Sequence, residues 1–218
     1  MNQSLDTFLF DLDGTLLDTH KDMGNALNMT LKDHGKEPLP YETIRPFVSR
    51  GAMVMICLAF RCQPGSDEAV TLWKEFLVHY AENIADHTRF FDGMEQVIDR
   101  IEGDGNKWGI VTNKPGAYTA PLLKALDLHS RASSVVSGDT LPQKKPDPAP
   151  LLLACSEIGS TPERSIYIGD DERDIQAGKS AGMKTLAVSW GFIVDEDSPH
   201  DWNADAVIDH PSEILAWM

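Results

Sequence analysis

From about residue 90 onward, short β-prone apolar runs alternate with segments of helical period, and few folds are open to a chain written that way. Met94, Val97, Ile98 and Ile101 recur at three- and four-residue spacing, Trp108–Thr112 (WGIVT) suits a strand, and Tyr118, Leu122 and Leu126 return to helical spacing. The exchange continues through Ser133–Ser137, Pro150–Ile158, Ile166–Gly169, Ile175–Ala181, Thr185–Ser189 and Ala206–Ile208, and a short helix is expected over Pro211–Met218. Alternation of this kind predicts a parallel sheet covered by helices on both faces.

One further strand candidate, Thr7–Phe10 (TFLF), stands far upstream, and the chain between is helical throughout. Met23, Ala26, Leu27, Thr30 and Leu31 mark a first helix that Gly35 should stop. A second helical region is expected over about Tyr41 to Arg61, and a third from about Ser66 to Asp86 with Val70, Trp73, Phe76, Leu77, Tyr80 and Ile84 on one face. Trp73, Phe76 and Tyr80 read as the core of this insertion rather than as a platform for a sugar. The expected architecture is therefore α/β, a Rossmann-like parallel sheet with helices on both faces, plus an inserted all-helical cap. The core takes residues 1–17 and 90–218, and the cap residues 18–89.

In open parallel sheets, ligands bind beyond the carboxyl ends of the strands, and polar clusters stand at several such ends. After TFLF comes Asp11-Leu12-Asp13-Gly14-Thr15. Two carboxylates at i and i+2 point the same way on an extended strand, and crowding them invites a cation or a shared proton. Mg²⁺, a hard ion that takes oxygen ligands, meets that need. The pair also permits one carboxylate to act as nucleophile and the other as acid and base; an Asx-type turn would use the same residues. After WGIVT comes Thr112-Asn113-Lys114, whose hydroxyl and amide groups could hold phosphate oxygens or simply cap a helix before Pro115. Lys144-Lys145-Pro146-Asp147-Pro148 offers a lysine to neutralise an anion, or a solvated loop. Gly169-Asp170-Asp171-Glu172-Arg173-Asp174 follows a strand and opens a helix, which suits both the helix dipole and a metal completed by Asp11 and Asp170. The order carboxylate pair, Thr/Asn, Lys, carboxylate cluster is more telling than any one of them.

Composition narrows the partners. The formal net charge of −15 repels nucleic-acid phosphates and anionic lipid, so an anionic substrate would need a local cation and basic side chains. The longest purely apolar stretch, Met53 to Phe60, is too short to span a bilayer, and Met1 to Asp6 lacks the marks of a secretory leader. The 3 cysteines, Cys57, Cys62 and Cys155, form no disulfide framework and read as small buried apolar residues of a reducing compartment, so a cytoplasmic location is expected. The 7 histidines form no metalloprotease or triad-like pattern. A small-molecule phosphate ester is the expected partner, with neither nucleic acid nor membrane, and the chain is expected as monomer or homodimer.

Those four clusters, in that order, resemble the motifs of the haloacid dehalogenase-like superfamily, with DLDGTLLDT (Asp11–Thr19) similar to its phosphatase signature. VTNK, KP and GDDERD resemble its second, third and fourth motifs, and the likeness spans essentially the whole chain. It implies Asp11 as nucleophile, Asp13 as acid and base, Thr112 and Asn113 as phosphoryl contacts, and Lys145 as the charge-stabilising lysine in preference to Lys144. It also implies Mg²⁺ held by Asp11, the Asp13 backbone carbonyl and Asp170, with Asp174 in support. Val48-Ser49-Arg50-Gly51-Ala52, Phe91-Asp92-Gly93-Met94, WGIVTNKP, KPDPAPL and the tail from Trp190-Gly191 to Ile208-Asp209-His210-Pro211 are similar to the phosphoglycolate phosphatase branch. The resemblance thus implies hydrolysis of a small phosphomonoester, 2-phosphoglycolate or N-acetylmuramic acid 6-phosphate, through an aspartyl-phosphate. Arg50 stands where that branch has a small residue; its planar fork suits a substrate carboxylate, and a surface arginine is the alternative. A phosphomutase would share all the motifs, and a non-catalytic phosphate sensor could keep the fold.

Overall fold

The computed structural model describes residues 5–218. Met1–Ser4, the larger part of the stretch read for a leader, lie outside the described residues. The chain begins with β1 (Thr7–Phe10), crosses a short strand β2 (Leu17–Asp18), and enters the helical insertion α1 (His20–Asp33), α2 (Tyr41–Ile44), α3 (Ala52–Phe60) and α4 (Asp67–Glu82). It returns through β3 (Arg89–Phe90) and then alternates: α5 (Met94–Gly103), β4 (Lys107–Val111), α6 (Gly116–Ala125), β5 (Val135–Val136), α7 (Ala149–Ile158), β6 (Ser165–Gly169), α8 (Glu172–Ser180), β7 (Lys184–Val188) and β8 (Ala206–Ile208). The expected alternation is present, and the main sheet is parallel throughout in the order β5-β4-β1-β6-β7-β8.

β1 lies at mid-sheet between β4 and β6 and is buried along its whole length. Its alternating side chains feed both faces. Phe8 and Phe10 join Met94, Val97, Ile98 and Ile101 of α5, while Leu9 joins Leu151, Ala154 and Ile158 of α7 on the other side. A strand buried on both faces favours apolar residues throughout, which is why Phe8, Leu9 and Phe10 show no polar alternation, and the buried Thr7 hydroxyl donates to Asp6 and Ser160.

The insertion gathers its own apolar cluster from Met23, Leu27 and Leu31 of α1, Met55 and Ile56 of α3, and Leu72 and Phe76 of α4. α1 stops where Gly35 takes φ +64, and Gly35 and Lys36 donate their N–H groups back to Lys32 and Leu31. The region expected as one helix over Tyr41–Arg61 is broken: α2 ends after one turn, Arg45–Arg50 is a 3-10 helix, and Gly51 at φ +91 separates it from α3. Pro46 has no N–H to continue the α ladder, and Gly51 adopts a conformation that side-chain-bearing residues avoid. On α4, Ala69, Leu72, Phe76 and Tyr80 are the buried residues, so the inward face is turned slightly from the expected stripe.

Both crossings between sheet and insertion pass through an antiparallel ribbon, Leu17 opposite Phe90 and Asp18 opposite Arg89, which is too short to show any sequence period. Buried Asp22 of α1 locks the return: its carboxylate accepts hydrogen bonds from the His87 and Thr88 amides and the Thr88 hydroxyl. Cys57 and Cys62 are half-buried rather than buried, with their sulfurs 3.7 Å apart, while Cys155 is buried. Among the described residues, no helix is long and apolar enough to cross a membrane.

Candidate active site

The carboxyl ends of β1, β4 and β6, together with the loop that enters α7, converge on a cavity of about 370 Å³ roofed by the insertion. Asp11 follows β1 directly and is pinned by its amide, which donates to the Ile168 carbonyl. Lys145 is 5% exposed, and its ammonium stands 2.6 Å from Asp11 Oδ1, 2.8 Å from Asp174 Oδ1 and 2.8 Å from the Tyr167 hydroxyl. Lys144 is exposed. Burial by itself works against the charge of Lys145, but Asp11 and Asp174 overcome it and raise its pKa. Burial pushes the Asp11 carboxyl up to about 7 against the pull of Lys145, with Asp174 adding to the rise.

Asp170, 2% exposed, accepts hydrogen bonds from the Thr15 hydroxyl (3.2 Å), the Ser49 hydroxyl (2.8 Å) and the Phe192 amide (2.8 Å). Burial, with Asp11 and Asp174 nearby, holds its carboxyl well above the usual carboxylate range. Asp171 caps α8, and Asp174 closes the capping box by accepting the Asp171 amide. Among the described residues, Asp11, Asp170 and Asp174 bring carboxylate oxygens within 4.8 Å of one another, all three buried. Lys145 pairs with Asp11 and Asp174 only, so three buried carboxylates stand against one ammonium, and the surplus negative charge favours a cation. An all-oxygen donor set suits a hard divalent ion. Gly14, at φ +89, is obligatory here because a Cβ would run into the Asp170 carboxylate.

Asp13 does not share Asp11's environment. The chain turns after Phe10 instead of staying extended, and the Asp13 carboxylate meets a different lysine: Lys114 Nζ lies 2.9 and 3.1 Å from its two oxygens. Lys114, 7% exposed, sits 4.7 Å from the centre of the Tyr80 ring on the insertion. Burial opposes its charge, but Asp13 reverses the balance and raises its pKa. No role was expected for Lys114; the available signal was its place in the same strand-end cluster as Thr112 and Asn113.

The remaining expected residues fall into different settings. The Thr112 hydroxyl accepts the Lys114 amide at 3.2 Å, which leaves its own O–H free to donate into the cavity. The Asn113 side chain is committed at both ends to the Lys145 backbone, with Nδ2 donating to its carbonyl and Oδ1 accepting its amide at 3.1 Å each. The side chain therefore holds Lys145 in place, while Asn113 itself lines the cavity. Arg50 lines the cavity but pairs with Asp197 and lies 4.0 Å from Asp171, so its fork is neither free nor merely solvated. Trp73, expected in the insertion's core, lines the cavity together with Leu77 and Tyr80.

A family model described as haloacid dehalogenase-like hydrolase matches residues 8–188. The N-acetylmuramic acid 6-phosphate phosphatase of Pseudomonas aeruginosa is 43% identical over 211 residues, covering 97% of this chain and 93% of that protein. A phosphoglycolate phosphatase of Xylella fastidiosa is 42% identical over 207 residues, covering 94% of this chain and 89% of its own length. The crystal structure of a predicted phosphoglycolate phosphatase from Haemophilus somnus superposes with a TM-score of 0.86 at 25% identity, covering 98% of both chains.

Proposed function

The chain belongs to the haloacid dehalogenase-like hydrolase family, and on that premise we propose that it is a divalent-metal-dependent phosphatase of small organic phosphomonoesters. The observation that carries this reading is the separation of two nearby carboxylates, Asp11 against Lys145 and Asp13 against Lys114. Two carboxylates in unlike surroundings can take unlike roles in one reaction.

In this reading the Asp11 carboxylate attacks phosphorus in line with the leaving alcohol and becomes an aspartyl-phosphate. Lys145 faces the charge that grows on the phosphoryl oxygens, and Thr112 donates its hydroxyl to one of them. Asp13 delivers a proton to the departing alkoxide and then takes one from the water that hydrolyses the acyl phosphate. Asp11, Asp170 and the Asp13 carbonyl would hold Mg²⁺, with Asp174 in support through Lys145, and the bound ion would neutralise phosphoryl charge. The helical insertion acts as the cap that excludes bulk water.

The named relatives act on N-acetylmuramic acid 6-phosphate and on phosphoglycolate. Both are phosphates of primary alcohols that also carry a carboxylate, and Arg50 would exchange Asp197 for that carboxylate. Phosphate release from both compounds tests the reading. Release should require Mg²⁺, stop on chelation, and fall by on the order of 10⁴-fold or more in Asp11→Asn while the far-UV spectrum is kept. Undiminished turnover in Asp11→Asn would rule out the covalent route.

A further inference from the structure

Helix α4 shows two faces to two different settings. Leu72, Phe76 and Tyr80 enter the insertion's apolar cluster, and Trp73, Leu77 and Tyr80, at i, i+4 and i+7, line the cavity with Phe76 beside them, so Tyr80 belongs to both. Tyr118 of α6 meets this stripe from the sheet side, its ring centre 5.9 Å from that of Tyr80. Tyr80 in turn stacks on Phe76 at 6.1 Å, so its ring is fixed from behind. The insertion's side of the cavity thus carries an aromatic wall.

That wall contains one unmet polar atom. Among the described residues the buried Tyr80 hydroxyl has no hydrogen-bond partner, although the large majority of buried polar side-chain atoms in folded proteins find one. Burial pushes its pKa up to about 12, so it remains a neutral phenol able to donate and accept. The cavity volume of about 370 Å³ lies within the range of about 300–1,000 Å³ usual for drug-sized ligands. A two-carbon acid would fill a small part of it and offer no face to an aromatic ring. A pyranose has both things the wall lacks: a C–H face that packs on the negative face of an aromatic ring, and hydroxyls at its edge.

We propose that the Trp73–Leu77–Tyr80 stripe, with Tyr118, is the specificity-determining wall of the site and receives the ring of a phosphorylated sugar in preference to an acyclic acid phosphate. This rests on the phosphatase reading above. The ring lies against Trp73 and Tyr118, and a ring hydroxyl or amide satisfies the Tyr80 hydroxyl.

The test compares kcat/KM for N-acetylmuramic acid 6-phosphate, N-acetylglucosamine 6-phosphate, 2-phosphoglycolate and p-nitrophenyl phosphate in the full chain and in Trp73→Ala, Trp73→Phe and Tyr80→Phe. The wild type should prefer a sugar phosphate over phosphoglycolate. Trp73→Ala should raise KM for the sugar about tenfold more than for phosphoglycolate, with Trp73→Phe restoring most of the difference. Tyr80→Phe, which removes only the hydroxyl, should also weigh more heavily on the sugar. Parallel losses on all esters in Trp73→Ala and Tyr80→Phe would reduce the wall to packing and overturn the proposal. So would a wild-type preference for phosphoglycolate, or release from p-nitrophenyl phosphate but from neither sugar. No release from any ester, with Mg²⁺ present, would overturn the phosphatase reading itself.

Discussion

Asp11 and Asp13 stand two residues apart, yet each answers to its own buried lysine. Lys145 is fixed from several directions: Asn113 grips its backbone, and Tyr167 and Asp174 its ammonium. Lys114 reaches Asp13 across the β1–β4 boundary and rests over Tyr80, so it orients the residue proposed to carry the proton. Replacing it with methionine keeps much of the packing and removes the ion pair. Lys114→Met should lower kcat by about 10²-fold with a smaller effect on KM, and Lys114→Arg should recover part of the loss. An unchanged kcat would mean that Asp13 is oriented without it. What such supporting residues pair with was not legible in the sequence. Asp11, Asp13, Lys145 and Asp170 were noticed because they follow strands, where a parallel sheet leaves its ligand sites. Ser49 and Trp73 depend on how the insertion approaches the sheet, which has no local signature; Asn113 and Lys114 stand in the strand-end cluster after β4, and only the partner each one meets is missing from the sequence.

At the scale of elements, period and burial agreed wherever one environment covered a whole segment. β1 reads as continuously apolar because both its faces are covered, and α5 reads as amphipathic because one face is. The segment over Tyr41–Arg61 has helical composition, but Pro46 and Gly51 divide it. That break turns Ser49 and Arg50 toward the sheet instead of leaving them on a helix surface. Asp22 shows the reverse case, a charged residue near a helix start that would ordinarily serve the dipole in solvent. Here it is fully buried and ties α1 to the returning chain. Asp22→Ala should strand two amides and a hydroxyl in the interior and cost about 2–3 kcal/mol in a urea titration. A cost below about 0.5 kcal/mol would show that water replaces the carboxylate.

Across the whole molecule, insertion and sheet are joined by more than the ribbon. The Ser49 hydroxyl lies 2.8 Å from Asp170 Oδ2 and 3.1 Å from the Asp13 carbonyl, two oxygens proposed for the metal. Arg45 donates to the carbonyls of Trp190 and Gly191, and the amide of the next residue, Phe192, donates to Asp170. The position of the insertion is therefore felt at the carboxylate cluster by two routes. Groups that orient a metal ligand typically change its affinity by about 10-fold or more. Ser49→Ala should thus need about tenfold more Mg²⁺ for the same rise in melting temperature, a readout independent of turnover. An identical Mg²⁺ dependence would separate the insertion from the metal site. The sheet order has a further consequence for the chain as it is made. β1 leaves the ribosome well before its partners: Thr7 pairs with Lys107 and Ser165, which are translated roughly five seconds or more later. The helices of the insertion find their partners among their immediate neighbours in that interval. A nascent chain in which only the segment up to about residue 90 has emerged would carry a packed helical unit beside the bare apolar strand β1, and that strand is what a chaperone would meet.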